Sequence, residues 1–269
     1  MHRTVKRVAM TEPIRRALVI LPTYNEKDNV IVLSEGVLAE SDKVEILVVD
    51  DASPDGTGDL VERTGEGEPR LHLLRRAGKL GLGTAYLADF RYGLDEGYDA
   101  IFTMDADRSH NPRYLPAMLS LLEEDDMVVG SRYVPGGGIE NWPVHRRLLS
   151  TFANFYARTM LRISVHDCTS GYRGYRREVL ETVDPFEVKS SGYSFLYEMV
   201  WRVSRAGFRI GEVPIVFEER VAGDSKINSS EIYVAAFRVL MTALFPPDVP
   251  KRGSGRDATQ PSAEVDRPE

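Results

Sequence analysis

Short apolar runs at residues 17–21, 44–49, 71–74, 100–104 and 127–129 divide the first half of this chain into regular segments. Between them, apolar residues recur at helical spacing, as Val30, Leu33, Val37 and Leu38 do. Short runs bounded by turn residues read as buried strands. Strands alternating with helices imply a mainly parallel sheet covered by helices on both faces. This Rossmann-like α/β expectation also says where chemistry can sit, because ligands bind at the carboxyl ends of parallel strands. No G-x-G-x-x-G follows the first run, so a dinucleotide is not expected.

Acidic residues stand at two of those strand ends. Asp105 and Asp107 follow the run at 100–104, and a D-x-D pair can hold a divalent cation through hard oxygen ligands. Phosphate oxygens would complete such a site, which suits a nucleotide diphosphate. The alternative is local: Asp105 caps the turn and Asp107 caps the helix near Pro112. Asp50 ends the run at 44–49, where a carboxylate is costly unless it is hydrogen-bonded, and a nucleobase N–H would satisfy it. After the first run come Pro22, Tyr24 and Glu26. Tyr24 offers a stacking face and Glu26 an acceptor for ribose hydroxyls, or Asn25 and Glu26 simply open a helix.

The second half is read from its own patterns. A glycine-rich loop at 135–138 precedes a long helix over 144–161. A strand is expected over 169–175, a helix over 195–206, a strand over 213–217 opening on a proline, and an apolar helix over 231–245. Net charge is −7, which leaves no global footprint for nucleic acid. Residues 132–177 nevertheless carry Arg132, Arg146, Arg147, Arg158, Arg162, Arg173, Arg176 and Arg177 against only Glu140 and Asp167. That excess predicts a basic face for anionic ligands. Cys168 is the only cysteine, so an internal disulfide is impossible and a reducing compartment is expected.

The motifs PTYNE, VVDDASPDGT, GLGTAY, DADRSHNP, GSRY, TSGYRGY and FEERVAGDSK occur in that order between residues 21 and 226. Together they resemble the family 2 glycosyltransferases of the glycosyltransferase-A fold, and within them the polyprenol-phosphate (dolichol-phosphate) mannose synthases. The resemblance spans about three quarters of the chain. It implies an inverting enzyme that moves mannose from GDP-mannose to a polyprenyl monophosphate, with Mg2+ or Mn2+ as cofactor. A related transferase using UDP-glucose or another sugar nucleotide is the alternative.

The resemblance also implies roles for matching positions. Pro22, Tyr24, Glu26, Asp50, Asp105, Ala106, Asp107, Arg132, Arg220 and Lys226 would bind the nucleotide sugar. Asp105, Asp107 and Ser109 would hold the metal, and Asp107, Arg132, Arg220 and Lys226 would serve catalysis. Arg132 would sit near the sugar or the acceptor phosphate. Apart from the resemblance, Arg146, Arg147 and Ser150 at the start of the 144–161 helix either take that phosphate, since a helix N-terminus flanked by arginines favours anions, or form a basic solvent face. Asp167 and Glu198 are the carboxylates nominated as general base, both ranked below a mechanism without one.

The expected organisation is a flexible tail over 1–15, a glycosyltransferase-A domain over 16–228, an amphipathic interfacial helix over 229–246 and a disordered tail over 247–269. No window approaches the ~18 apolar residues of a spanning helix. A cytoplasmic protein, peripheral on the cytoplasmic face of a membrane, is therefore expected, attached directly or through a membrane-protein partner.

Overall fold

A computed structural model describes residues 12–78, 82–188, 193–218 and 229–253. Four parallel strands come first in the chain: β1 (Ala17–Thr23), β2 (Val44–Asp50), β3 (Leu71–Arg75) and β4 (Ala100–Thr103). β5 (Met127–Ser131), β7 (Arg173–Arg176) and β8 (Ile210–Pro214) complete a seven-stranded sheet in the order β3-β2-β1-β4-β7-β5-β8. A second sheet has two strands, β6 (Gly138–Ile139) and β9 (Val216–Phe217).

Alternation along each strand sorts the core into two layers. Leu18, Ile20, Leu47 and Val49 face one layer, while Ala17, Val19, Leu21, Ile46 and Val48 face the other. Helices α1 (Lys27–Glu40), α2 (Thr57–Gly65) and α4 (Leu115–Glu124) cover the second face. Helices α3 (Leu82–Asp95), α5 (Val144–Leu161), α6 (Arg177–Val183), α7 (Tyr193–Ala206) and α8 (Ser229–Leu244) cover the first. The expected α/β sheet covered on both faces is the observed one.

Several local expectations change. β1 continues through Pro22 to Thr23, because pairing with β4 ends at Ile20 and the missing proline N–H falls beyond that ladder. The polar strand expected over 169–175 forms only at Arg173–Arg176, and it runs antiparallel between β4 and β5. The strand expected over 213–217 divides: Pro214 closes edge strand β8 instead of opening a strand, and Val216–Phe217 leave to pair with β6. Proline is tolerated there because an edge has an unpaired side.

The termini also differ from free tails where they are described. Ile14 is buried, and the Arg15 and Arg16 amides donate to the Asp99 carboxylate at 2.8 and 3.0 Å. After α8, Val249 is buried and the Arg252 amide donates to the Ala206 carbonyl at 2.9 Å. The Arg252 guanidinium also reaches Asp126, at 3.1 Å, and Glu178. Residues 249–252 therefore strap across the end of α7.

Candidate active site

The carboxyl ends of β1, β2, β4 and β5 meet on one side of the sheet, and the loops leaving them build the site. The first two loops are stitched together. Ser53 Oγ accepts from the Asn25 amide at 3.0 Å, Thr57 Oγ1 from Glu26 at 3.1 Å, and Asp55 Oδ2 from Lys27 at 3.2 Å. Three otherwise orphaned amides at the start of α1 are thus met by the β2 loop, and Asn25, with φ of 62°, caps nothing itself. Pro22, Tyr24 and Glu26 line this junction half-buried, and Glu26 Oε2 accepts from the Asn29 amide group at 2.9 Å.

Asp50 is buried at the end of β2. It accepts from Thr23 Oγ1 at 3.2 Å and from the Ser53 amide at 3.1 Å. Its carboxylate is therefore anchored by its own loops, and any ligand would meet it already oriented. Gly58 is required here, since a Cβ would lie 2.9 Å from Asp50 Oδ2 and 2.8 Å from the Arg75 guanidinium.

After β4 the chain turns through Asp105, Ala106 and Asp107. Asp107 is buried, and its Oδ1 accepts from the Ser109 amide at 3.0 Å and from the Ser109 hydroxyl at 2.6 Å. Ser109 is itself 2% exposed, so in this geometry its hydroxyl aims Asp107 rather than standing as an independent ligand. Ala106 is buried and Asp105 is part-exposed. Opposite Asp105 lies Gly171, where a Cβ would come within 3.2 Å of Oδ1. Arg108 takes the left-handed conformation at φ 66° and points to solvent.

His110 holds this turn from behind. Its Nδ1 accepts the Asp105 amide at 3.0 Å, and its ring stacks on Tyr172 at 5.2 Å. Burial lowers its pKa, against the pull of Asp105 and Asp107, so the ring is neutral and able to accept that hydrogen. By its place after the D-x-D turn His110 could approach phosphate or stabilise the turn, and the structure shows the second.

Arg132 follows β5. It is buried, and its Nε and Nη2 donate to Asp167 at 2.7 and 2.8 Å. Asp167 also accepts the Arg132 amide at 3.1 Å and hydrogen bonds from Thr169 and Ser170. Burial, the largest influence, would raise the Asp167 pKa, but the Arg132 charge and these hydrogen bonds outweigh it and lower it. A carboxylate so fully engaged is not a general base, which removes one of the two nominees. Glu198, the other, accepts from Arg202 at 2.9 Å within α7.

The expected basic face is also reduced. Arg173 is wholly buried and donates to the carbonyls of Ser170, Leu196 and Cys168. Arg176 is buried as well and reaches the Leu122 and Glu12 carbonyls. Arginines that look alike in sequence thus divide into structural ones and those of α5.

Arg146 lies 3.9 Å over the ring of Trp142, whose ring is also 5.6 Å from the Arg132 guanidinium carbon. Ser150 accepts from the Tyr133 hydroxyl at 2.7 Å. Arg132, Arg146 and Ser150 are therefore linked through Trp142 and Tyr133. Arg147 differs: its guanidinium turns to the Ile139 carbonyl. Arg220 and Lys226 lie outside the described residues.

Among the described residues no group of three or more His, Cys, Asp or Glu side chains could hold a metal. The donor set that is present, the carboxylates of Asp105 and Asp107, suits Mg2+ or Mn2+. Such ions take one or two protein carboxylates and complete their shell with water and substrate phosphates.

The profile of glycosyl transferase family 2 matches residues 18–184. A polyprenol monophosphomannose synthase of Mycolicibacterium smegmatis is 48% identical over 233 residues, covering 86% of this chain and 88% of that protein. An undecaprenyl-phosphate mannosyltransferase of Micrococcus luteus is 45% identical over 225 residues, covering 83% and 92%. Among solved structures, glucosyl-3-phosphoglycerate synthase of Mycobacterium tuberculosis with Mn2+, UDP and glucosyl-3-phosphoglycerate superposes with a TM-score of 0.62 at 18% identity. That match covers 87% of this chain and 81% of the other. A mannosyltransferase of Pyrobaculum calidifontis in complex with GDP-Man and Mn2+ gives 0.53 at 20% identity, covering 89% and 77%. At such identities the structural likeness concerns the fold. The profile and the sequence relatives place the chain itself: it belongs to glycosyl transferase family 2.

Proposed function

We propose that this chain transfers mannose from GDP-mannose to the phosphate of a polyprenyl monophosphate, with inversion, giving a β-mannosyl phosphoryl polyprenol. One observation carries the reading. The acidic turn of Asp105 and Asp107 and the paired Arg132 are separated by two rings: His110 accepts the Asp105 amide at 3.0 Å and lies 5.7 Å from Phe217, whose ring is 5.4 Å from the Arg132 guanidinium carbon. A cation site for a diphosphate and a guanidinium for a second phosphate are thereby juxtaposed. The names of the two sequence relatives support the acceptor and the sugar.

Pro22, Tyr24, Glu26 and Asp50 line the nucleoside end, anchored by the stitched loops. Asp105 and Asp107 would hold Mg2+ or Mn2+, with Ser109 orienting Asp107. A bound divalent cation neutralises charge that develops on the departing diphosphate. Arg132, Arg146 and Ser150 receive the acceptor phosphate. Arg220 and Lys226 are assigned to the diphosphate by their motif alone.

The acceptor needs no strong base. A phosphate monoester is largely ionised at pH 7, its second pKa being about 6, so it can attack the anomeric carbon directly. Asp167 serves by holding Arg132 through Nε and Nη2, so that the guanidinium charge is fixed in place for the acceptor phosphate. Attack from the face opposite the departing diphosphate inverts the sugar.

A lipid-linked acceptor supports a location at a membrane surface. No helix of the described residues is long and apolar enough to cross a bilayer. Leu148, Phe152 and Phe155 on α5 and Tyr233, Phe237 and Leu244 on α8 are exposed, and the two helices pack together through Tyr156 and Ala236. Peripheral attachment at the cytoplasmic face through this surface, or through a membrane protein seated on it, fits that exposure. The test is transfer of labelled mannose from GDP-mannose to a short polyprenyl phosphate in detergent, with and without Mg2+ or Mn2+. A metal-dependent, acid-labile lipid product is expected. Its absence from protein that still binds GDP and metal would overturn the acceptor or the sugar.

A further inference from the structure

We propose that Phe217 is a positioning residue that couples the acceptor-phosphate clamp to the acidic metal turn through a continuous column of rings. The inference rests on the acceptor and donor sites proposed above. Phe217 stands edge-on to Trp142, with centroids 5.4 Å apart and planes at 73°. It also stands edge-on to His110, at 5.7 Å and 79°. His110 stacks on buried Tyr172 at 5.2 Å.

Each end of this column touches a different part of the site. At one end Arg146 covers the Trp142 ring at 3.9 Å, and the Arg132 guanidinium carbon lies 5.4 Å from Phe217 itself. At the other end His110 Nδ1 holds the Asp105 amide at 3.0 Å. Phe217 sits between them on a strand that is pinned on both sides. Ile139 pairs with it, the Glu140 amide donates to its carbonyl at 2.9 Å, and the neighbouring Val216 amide donates to the Tyr114 hydroxyl at 3.0 Å.

The coupling follows from what a phosphate monoester does to the clamp. A guanidinium over an indole face is held by the ring quadrupole, and a phosphate competes for that same cation. Drawing Arg146 toward phosphate changes the load on Trp142. Edge-on ring contacts interlock, so a change at Trp142 is met by Phe217 and passed to His110. The Asp105 amide, and with it the metal turn, answers to the His110 ring. A shift of the column that one ligand requires is already made when the second binds, so each ligand favours the other.

The experiment is calorimetric titration of the full chain with GDP and Mn2+, alone and saturated with farnesyl phosphate. It is run on the wild type, Phe217→Leu and Phe217→Tyr. Repulsion between the two anions is common to all three proteins, so the difference between them isolates the ring. Farnesyl phosphate should favour GDP–Mn2+ binding at least about fivefold more in the wild type and Phe217→Tyr than in Phe217→Leu. GDP–Mn2+ affinity without farnesyl phosphate should stay within about twofold in Phe217→Leu, while its acceptor KM rises.

The same effect of farnesyl phosphate in wild type and Phe217→Leu would overturn the coupling and leave the functional reading standing. A wild type that binds GDP and Mn2+ but no farnesyl phosphate would overturn the acceptor reading and this inference with it. If Phe217→Leu fails to fold, Trp142→Leu breaks the column one ring further out and carries the same expectation.

Discussion

Asp167 lies fully buried against Arg132 and accepts two hydrogen bonds from its guanidinium, at 2.7 and 2.8 Å. The pair joins the end of β5 to the turn before β7, and Thr169 closes it from the side. Asn154 ties the same turn to α5, accepting the Cys168 amide at 2.8 Å. Asp167 therefore fixes the arginine and the turn, and Asn154 adds the helix, to make the basic half of the site.

Replacing Asp167 with Asn leaves a buried guanidinium without its counter-charge. Such a loss costs about 3–5 kcal/mol. The Asp167 pKa is lowered in the folded protein, so its stabilisation is present above the unfolded value of about 3.9 and is lost as pH falls through the lower folded value. Urea unfolding from pH 3 to pH 7 should show a wild-type advantage over Asp167→Asn that is constant near neutrality and shrinks in acid. An advantage that instead grows toward acid would contradict the pairing.

Asp107 and Ser109 should separate by degree. Asp107→Asn is expected to lower metal-dependent turnover by about 100-fold or more. Ser109→Ala removes only the 2.6 Å hydrogen bond that aims Asp107 and leaves the Ser109 amide in place. It should weaken metal dependence by roughly 10-fold, the effect usual for a residue that orients a ligand. Turnover measured across a Mn2+ titration distinguishes the two. Equal losses would make Ser109 a ligand in its own right.

Asp89 is a buried carboxyl on α3, and among the described residues neither of its oxygens has a hydrogen-bond partner. Burial pushes its pKa up to about 8, with Arg76 opposing and Asp51 adding to the rise. A raised folded pKa means stability is full below the unfolded value and is lost as pH rises through about 8. Thermal unfolding should show Asp89→Asn gaining on the wild type between pH 5 and pH 9. Parallel curves over that range would show that Asp89 is ionised throughout.

The exposed faces of α5 and α8 should carry vesicle binding. Phe152 and Phe237 are 64% and 61% exposed, and burying such rings in a bilayer is worth roughly 1.5–3 kcal/mol each. Phe152→Ser with Phe237→Ser should lower co-sedimentation with phosphatidylglycerol vesicles by about tenfold or more and spare transfer to a soluble short acceptor. Unchanged sedimentation would move attachment to another surface or to a protein partner.

The order of elements in the first half, the two-faced sheet and the acidic strand ends were legible in the chain, because each rests on local periodicity. Apolar runs near Leu18, Leu47 and Ile101 declare buried strands wherever they lie, and the helix over 144–161 shows its stripe unaided. Asp50, Asp105 and Asp107 are readable because they terminate such runs. Partners are different, since they depend on which distant segments the register brings together. Asp167 meets Arg132 across 35 residues, and sequence alone made it a candidate base. Arg173 looked like part of a basic face but is buried, because β7 inserts antiparallel between β4 and β5. The capping of α1 by Ser53, Asp55 and Thr57 likewise exists only once two loops have met. Periodicity is a property of neighbours along the chain. Desolvation and pairing are properties of neighbours in space, and the assembled sheet alone decided them.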